Sequence, residues 1–338
     1  MPVTLAQAAL NTLTDLDFAV IDNFRRYSWL LDHIPFDDCV TPGTGGATLT
    51  YGYTRLISAA NADFRAFNTE YTPGQAVRSQ FSVNLKPLGG SFTIDRALAN
   101  LGDARTNEEA FQLQQVLTST RIKFEQELIL GDTAVNALGF DGLSKALTGT
   151  TTEKTAGYYC GSGNWNASTV NTQALANVRL DELDDFLSLI VPSHTGSGDQ
   201  GVPGALPPGL KVIMGNTRMI ARVKALARWA AMFTSQKDDL GRQINMYGDW
   251  VLVDIGDRFD GASPIIPISS NATDLYAVSF GLDAFHAISV AGSPMIQTWP
   301  PNYEQAGAVK SGEVEMGPLA CVLKNTRAAG VLRSITVQ

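Results

Sequence analysis

The chain has 338 residues, of which 44% are hydrophobic and only 17% charged, with 25 Lys+Arg against 33 Asp+Glu for a formal net charge of -8. Few charges and many apolar residues exclude a disordered chain, and the acidic balance argues against a dedicated nucleic-acid reader, which carries a basic patch. The length is enough to bury a sizeable core, as two domains or one large one.

At the N-terminus the first basic residue is Arg25, and Asp15 and Asp17 interrupt the early apolar positions, so no signal peptide is read. Residues 1–35 read as an arm, with Leu5, Ala9, Leu13 and Leu16 at helical spacing. Pro35, Pro42, Gly43, Gly45 and Gly46 then break the chain. Leu49, Tyr51 and Tyr53 alternate with polar or small residues, as do Phe81, Val83 and Leu85. Period two predicts half-buried strands, and 47–87 as a whole reads as a long hairpin projecting from the body. An isolated hairpin is marginal in water, so its partner surface is expected elsewhere, on another chain.

The strongest helix signal covers 107–130, with Thr106 and Glu109 in capping-box positions and Gly131 as the stop. Ala110, Leu113, Leu117, Phe124 and Leu128 form its apolar stripe, opposite Glu108, Gln112, Gln115, Ser119, Lys123 and Gln126. Such a helix runs on the order of 35 Å. Residues 148–171 read as an exposed loop, Leu180–Leu189 as a helix and 193–209 as another loop. Leu210–Met214, Trp250–Ile255, Leu275–Phe280, Leu319–Leu323 and Val331–Ile335 read as strands, and Thr217–Phe233 as a helix with a basic side. The longest charge-free stretch, Ala284–Tyr303, holds Gly292, Pro294, Gln297, Pro300 and Pro301 and does not read as a membrane span.

No catalytic set emerges. His33, Asp37, Asp38 and Cys39 could form a nucleophile pair or a metal site, but the histidines are far apart and a polar turn is the expected reading. Asp181, Glu182, Asp184 and Asp185 read as a helix start favoured by the dipole. Asp254, Asp257 and Asp260 lack calcium-loop spacing, and Thr41–Gly46 lacks the Lys-Ser/Thr ending of a phosphate loop. Arg218, Arg222 and Arg228 read as a solvated face or an intersubunit ion-pair surface. Cys39, Cys160 and Cys321 are scattered without Cys-x-x-Cys spacing, as reduced cytoplasmic thiols are.

The order of segments resembles the major capsid protein of tailed phages, with the Hong Kong 97-type fold. The run Phe124-Glu125-Gln126-Glu127-Leu128-Ile129-Leu130-Gly131-Asp132, followed by Gly139-Phe140-Asp141-Gly142-Leu143, resembles the end of that family's spine helix and the turn into its axial domain. Gln80–Leu98, Gly209–Asn216, Tyr247–Val253 and Glu313–Ile335 resemble the returning strand of the extended loop, two axial strands and the closing peripheral strands. The resemblance implies an α+β fold with an N-terminal arm (1–46), an extended loop (47–95), a peripheral domain with the spine helix (96–140), an axial domain (141–300) and peripheral return strands (301–338).

The resemblance also implies a structural protein with no cofactor, metal or membrane. Pentamers and hexamers would form an icosahedral shell around double-stranded DNA, assembled in the host cytoplasm and located in the virion. Phe64, Arg65, Phe67, Tyr71 and Arg78 on the loop and Arg25 and Arg26 on the arm would contact neighbouring subunits, and Arg121 and Lys123 would face DNA. The hairpin begins too early for a fused scaffolding segment, so scaffolding would come from a separate protein, with a portal and a decoration protein as further partners. Residues 58–76 contain no Lys, so no covalent cross-link from the loop tip is expected. The alternatives are a nanocompartment shell of the encapsulin type, which encloses enzymes, and, in a different class, a soluble hydrolase.

Overall fold

The computed structural model describes residues 28–40, 46–99, 108–191, 209–229, 234–237, 243–292 and 295–338. Arm residues 1–27, with Arg25 and Arg26, most of the 41–46 joint, Thr106 and the 193–208 loop lie outside the described residues.

A short helix α1 (Leu30–His33) leads into strand β1 (Phe36–Cys39), where a polar turn was expected. β1 runs parallel to a later strand, and the packing of Phe36 and Cys39 against the core with this pairing overrides the polar Asp37-Asp38 pair. Strands β2 (Thr50–Ser58) and β3 (Val77–Asn84) form an antiparallel two-stranded sheet with Tyr53 opposite Phe81. Tyr51, Tyr53 and Val83 pack against the main core, which seats the hairpin's root. The hairpin ends at Asn84: Leu85 is buried, and β4 (Lys86–Asp95) joins a different sheet.

After α2 (Arg96–Ala99) comes the predicted spine, α3 (Glu108–Leu130). Its second half is buried through Ile122, Phe124, Leu128 and Ile129, of which Phe124 and Leu128 stand on the predicted stripe. Ala110, placed on that stripe, is exposed, and Glu125, on neither face of the prediction, is buried. Helix α4 (Leu143–Leu147), strand β5 (Glu153–Thr155) and helix α5 (Gln173–Ser188) follow. The 148–171 stretch is not the exposed loop expected: Trp165 is fully buried, and Thr152 and Val170 are buried as well. Then come β6 (Lys211–Gly215), α6 (Thr217–Trp229), β7 (Thr234–Lys237), β8 (Gln243–Tyr247), β9 (Trp250–Asp254), β10 (Ala272–Ser279), β11 (Phe285–Val290), β12 (Ile296–Trp299), β13 (Val309–Leu323) and β14 (Ala329–Thr336).

Two larger sheets organise the body. One has seven strands in the order β5-β14-β10-β6-β9-β8-β7, and the other has five, β1-β11-β13-β12 with β4 also on β13. The seven-stranded sheet is buried on both faces, and strand alternation sorts its side chains between two cores. Val212, Met214, Tyr276, Val278 and Val331 face the core shared with α3 and the five-stranded sheet. Ile213, Leu275, Ala277 and Leu332 face the core under α5 and α6. The stretch expected as peripheral return strands serves both sheets: β13 is central to the smaller one, and β14 lies inside the larger. Among the described residues no helix is long and apolar enough to cross a membrane.

Candidate assembly surfaces

The hairpin root is tied to the body by polar contacts that a free ribbon would lack. Tyr51 donates its hydroxyl to Asp37 Oδ2 at 2.7 Å. Arg55 donates through Nε and Nη2 to the carbonyls of Lys324 and Leu323, each at 2.8 Å, and lies 4.6 Å over the ring of Phe81. Below this clamp is His286, fully buried, with Nε2 3.9 Å from Asp37 Oδ2. Burial, then the charge of Lys324, lowers its pKa to about 4, so the ring is neutral near neutral pH.

Beyond the clamp the hairpin runs clear of the body. Phe64 is 100% exposed and Phe67 97%, and Tyr71 is exposed as well. Arg65 stacks on Tyr71 at 5.2 Å and donates to the carbonyls of Ala66 and Thr69, which orders the tip turn from within. Arg78 sits on the exposed face of β3. The structure therefore brings Phe64, Arg65, Phe67 and Tyr71 together at one tip, where Asp63 and Glu70 flank the single arginine, with Arg78 further down the ribbon. Single exposed apolar residues are ordinary on a surface; two phenylalanines at full exposure on an ordered tip have no such ordinary account.

The two residues expected to face DNA already have acidic partners. Arg121 Nη2 lies 2.9 Å from Asp32 Oδ1, and Lys123 Nζ lies 2.7 Å from Glu127 Oε1 one turn on. Each charge thus has an acidic neighbour within the subunit, with part of each side chain still exposed.

The candidate chemical clusters separate. His33 stacks on Trp29, with ring centroids 4.0 Å apart and Nδ1 2.8 Å from the Trp29 carbonyl, while burial raises the Cys39 thiol. Asp181, Glu182, Asp184 and Asp185 lie in the latter half of α5 rather than at its start, because Thr172 supplies the cap through the Leu175 amide. Their roles are individual ones. Glu182, fully buried, accepts the Gly157 amide at 2.5 Å and the Cys160 thiol at 3.0 Å. Asp184 and Asp185 each accept a tyrosine hydroxyl at 2.7 Å, from Tyr247 and Tyr158. Asp254 and Asp260 cap local amides at Gly256 and Ala262. Arg222, expected on a solvated face, instead reaches the carbonyls of Trp165, Asn166 and Val170 and holds the 148–171 stretch against α6. Sequence periodicity places Arg222 on the helix surface but carries no signal for a distant loop folded over it. Among the described residues no group of three or more potential metal ligands occurs.

No family model matches the sequence, and no curated protein sequence does. Solved structures do. The holo-SrpI encapsulin complex of Synechococcus elongatus matches over 100% of this chain and 98% of its own, with TM-score 0.62 at 12% identity. The capsid of Myoviridae phage XM1 matches over 98% of this chain and 99% of its own, with TM-score 0.56 at 12% identity. Mycobacterium phage Ogopogo matches over 98% and 99%, with TM-score 0.55 at 11% identity. At such identities the likeness defines the fold: the chain has the Hong Kong 97-type capsid fold, an α+β architecture of spine helix, extended hairpin and two sheets.

Proposed function

We propose that this chain is the major capsid subunit of a tailed phage, which closes as pentamers and hexamers into an icosahedral shell around double-stranded DNA. The observation that carries the reading is the hairpin. Its root is clamped to its own subunit, while its tip presents Phe64 and Phe67 to solvent. Burying a large apolar side chain contributes about 1.5–3 kcal/mol, and a second copy of the chain can supply the cover. Many such modest contacts, arranged with closed symmetry, sum to a finite and stable shell. In this reading the protein resides in the virion after assembly in the host cytoplasm. Scaffolding, portal and decoration proteins are its partners, and DNA is held by proximity rather than by a base-reading surface. Its role is structural rather than enzymatic.

The test is negative-stain microscopy of the purified protein, expressed with and without its neighbouring genes, beside a variant lacking residues 58–76. Uniform hollow shells or capsomer rings from the intact chain, and none from a deletion variant that still unfolds cooperatively, are the expected result. A monodisperse monomer or dimer under every condition overturns it. The full-length match to an encapsulin complex favours one second reading, a nanocompartment shell. Nuclease-protected DNA inside purified particles supports the phage reading, and enclosed enzyme supports the other.

A further inference from the structure

Helices α5 and α6 cover one core on the same side of the seven-stranded sheet, through Leu183 and Phe186 on the first and Val223 and Leu226 on the second. Their outward stripes carry opposite charge. On α6, Arg218, Ala221, Ala225 and Arg228 recur at helical spacing, and Trp229 is exposed at the end. On α5, Leu175, Val178, Asp181 and Asp185 form a stripe that is apolar in its first half and acidic in its second. The two stripes are equal in length, about 15 Å of helix. Helix α6 contains no acidic residue, and the one cation of α5, Arg179, is buried. Among the described residues Asp181, Arg218 and Arg228 make no ion pair within the subunit. Nor do these charges serve their own helices. Asp185 lies in the last turn of α5 and Arg218 in the first turn of α6, the ends at which the helix dipole disfavours each sign. Asp185 accepts the Tyr158 hydroxyl through Oδ2, which leaves Oδ1 for a further donor. Lys224, one turn before Arg228, is half-buried and already lies in the field of Asp254.

We propose that α6 of one copy docks antiparallel on α5 of a second copy, with Arg228 on Asp181, Trp229 over Val178 and Leu175, and Arg218 at the C-terminal end of α5. The register follows from the spacing. With Arg228 opposite Asp181, the antiparallel direction carries Trp229 towards Val178 and Leu175. It also carries Arg218 past Asp185 to the last carbonyls of α5, where a cation is favoured. The parallel direction would instead set Arg218 against Leu175 at the N-terminal end of α5 and leave Trp229 beyond the acidic half. Ala221 and Ala225, in the middle of the α6 stripe, let the second helix approach closely. An exposed ion pair is weak alone, so the contact draws its strength from drying Trp229, while the complementary charges fix register and partner. This docking rests on the reading that copies of the chain assemble, and it names a contact separate from the hairpin.

The test compares the full-length chain with Arg228→Glu, with Asp181→Arg and with both together, following association by light scattering and sedimentation velocity against protein concentration. Both positions are exposed, so the unfolding midpoint should stay put and serves as the control for folding. Each single reversal sets like charges against each other and should raise the concentration needed for association by roughly tenfold or more. The double reversal restores opposite charges with their signs exchanged and should recover most of that loss. A second readout does not need a closed shell. The antiparallel register sets Ala221 opposite Ser188, so Ala221→Cys protein mixed with Ser188→Cys protein should give a covalent dimer on mild oxidation, beyond what either forms alone. Single reversals that associate like the wild type overturn the docking, as does a double reversal no better than the singles. Cross-linking of Ala221→Cys to Val178→Cys in preference to Ser188→Cys overturns its direction. Each of these failures leaves the capsid reading standing where the wild type forms shells and the 58–76 deletion does not. A wild type that never associates overturns both.

Discussion

At Gly131 and Gly142 the chain passes itself more closely than any side chain would allow. A Cβ on Gly131 would lie 2.3 Å from the Phe140 carbonyl oxygen and 2.5 Å from that of Glu127. One on Gly142 would lie 2.4 Å from the Glu127 oxygen and 2.7 Å from the Gly131 amide. The closeness is functional in the structural sense: Gly131 donates to Glu127 at 2.9 Å, and Gly142 donates to Gly131 at 2.8 Å, which folds the turn back onto the end of α3. All the atoms met are backbone, so a methyl group can be accommodated only by moving the helix end. Gly131→Ala should therefore lose about 1–3 kcal/mol, the range for overpacking, read as a lower urea midpoint at unchanged slope. Gly52→Ala, whose added methyl would have its nearest neighbour at 3.6 Å in the hairpin, should be neutral or slightly stabilising.

Among the elements, the hairpin depends most on how it is attached. A two-stranded ribbon is marginal alone, so its direction is set where Arg55 and Tyr51 meet the body. Arg55→Ala removes two bonds from a charged donor to carbonyls and the stacking on Phe81. A loss of about 1.5–3 kcal/mol is expected, with faster exchange of the β2–β3 amides than of β13. Arg55→Lys should recover little, since one ammonium cannot reproduce the planar fork. The sequence made the ribbon legible because period two is a local signal. It did not reveal the clamp, because Leu323 and Lys324 lie more than 260 residues away and contribute only their carbonyls, which no side-chain pattern reports. The same limit explains other differences. The spine's stop was readable from Gly131 and most of its buried stripe from helical periodicity, but the burial of Glu125 depends on amides of another segment. Trp165 sits in a Gly-, Ser- and Asn-rich stretch whose composition spells exposure, and only the reach of Arg222 shows why it is covered. The acidic run on α5 looked like a helix start because the cap at Thr172 precedes it by a further turn and more.

For the whole molecule, the proposed function raises the question of where the free energy of association would reside. The described residues build two cores and both larger sheets from within one chain. The hairpin tip is different, since it orders itself through Arg65 yet leaves Phe64 and Phe67 in water. Replacing both with Asp should leave the unfolding midpoint of the isolated subunit within about 0.5 kcal/mol of wild type, as exposed substitutions do. In assembly the same pair of changes would place two charges at a surface that a neighbour must dry. Loss of about 1.5–3 kcal/mol for each apolar side chain raises the concentration needed for shell formation by roughly tenfold or more for each contact, and the repetition of the contact around a closed shell compounds it. Light scattering of assembly against protein concentration, with sedimentation to identify the species, would show the wild type crossing into large particles and the double variant remaining as small oligomers. Wild-type particles at an unchanged threshold would place the shell's cohesion elsewhere on the subunit and leave the hairpin as ornament to the fold.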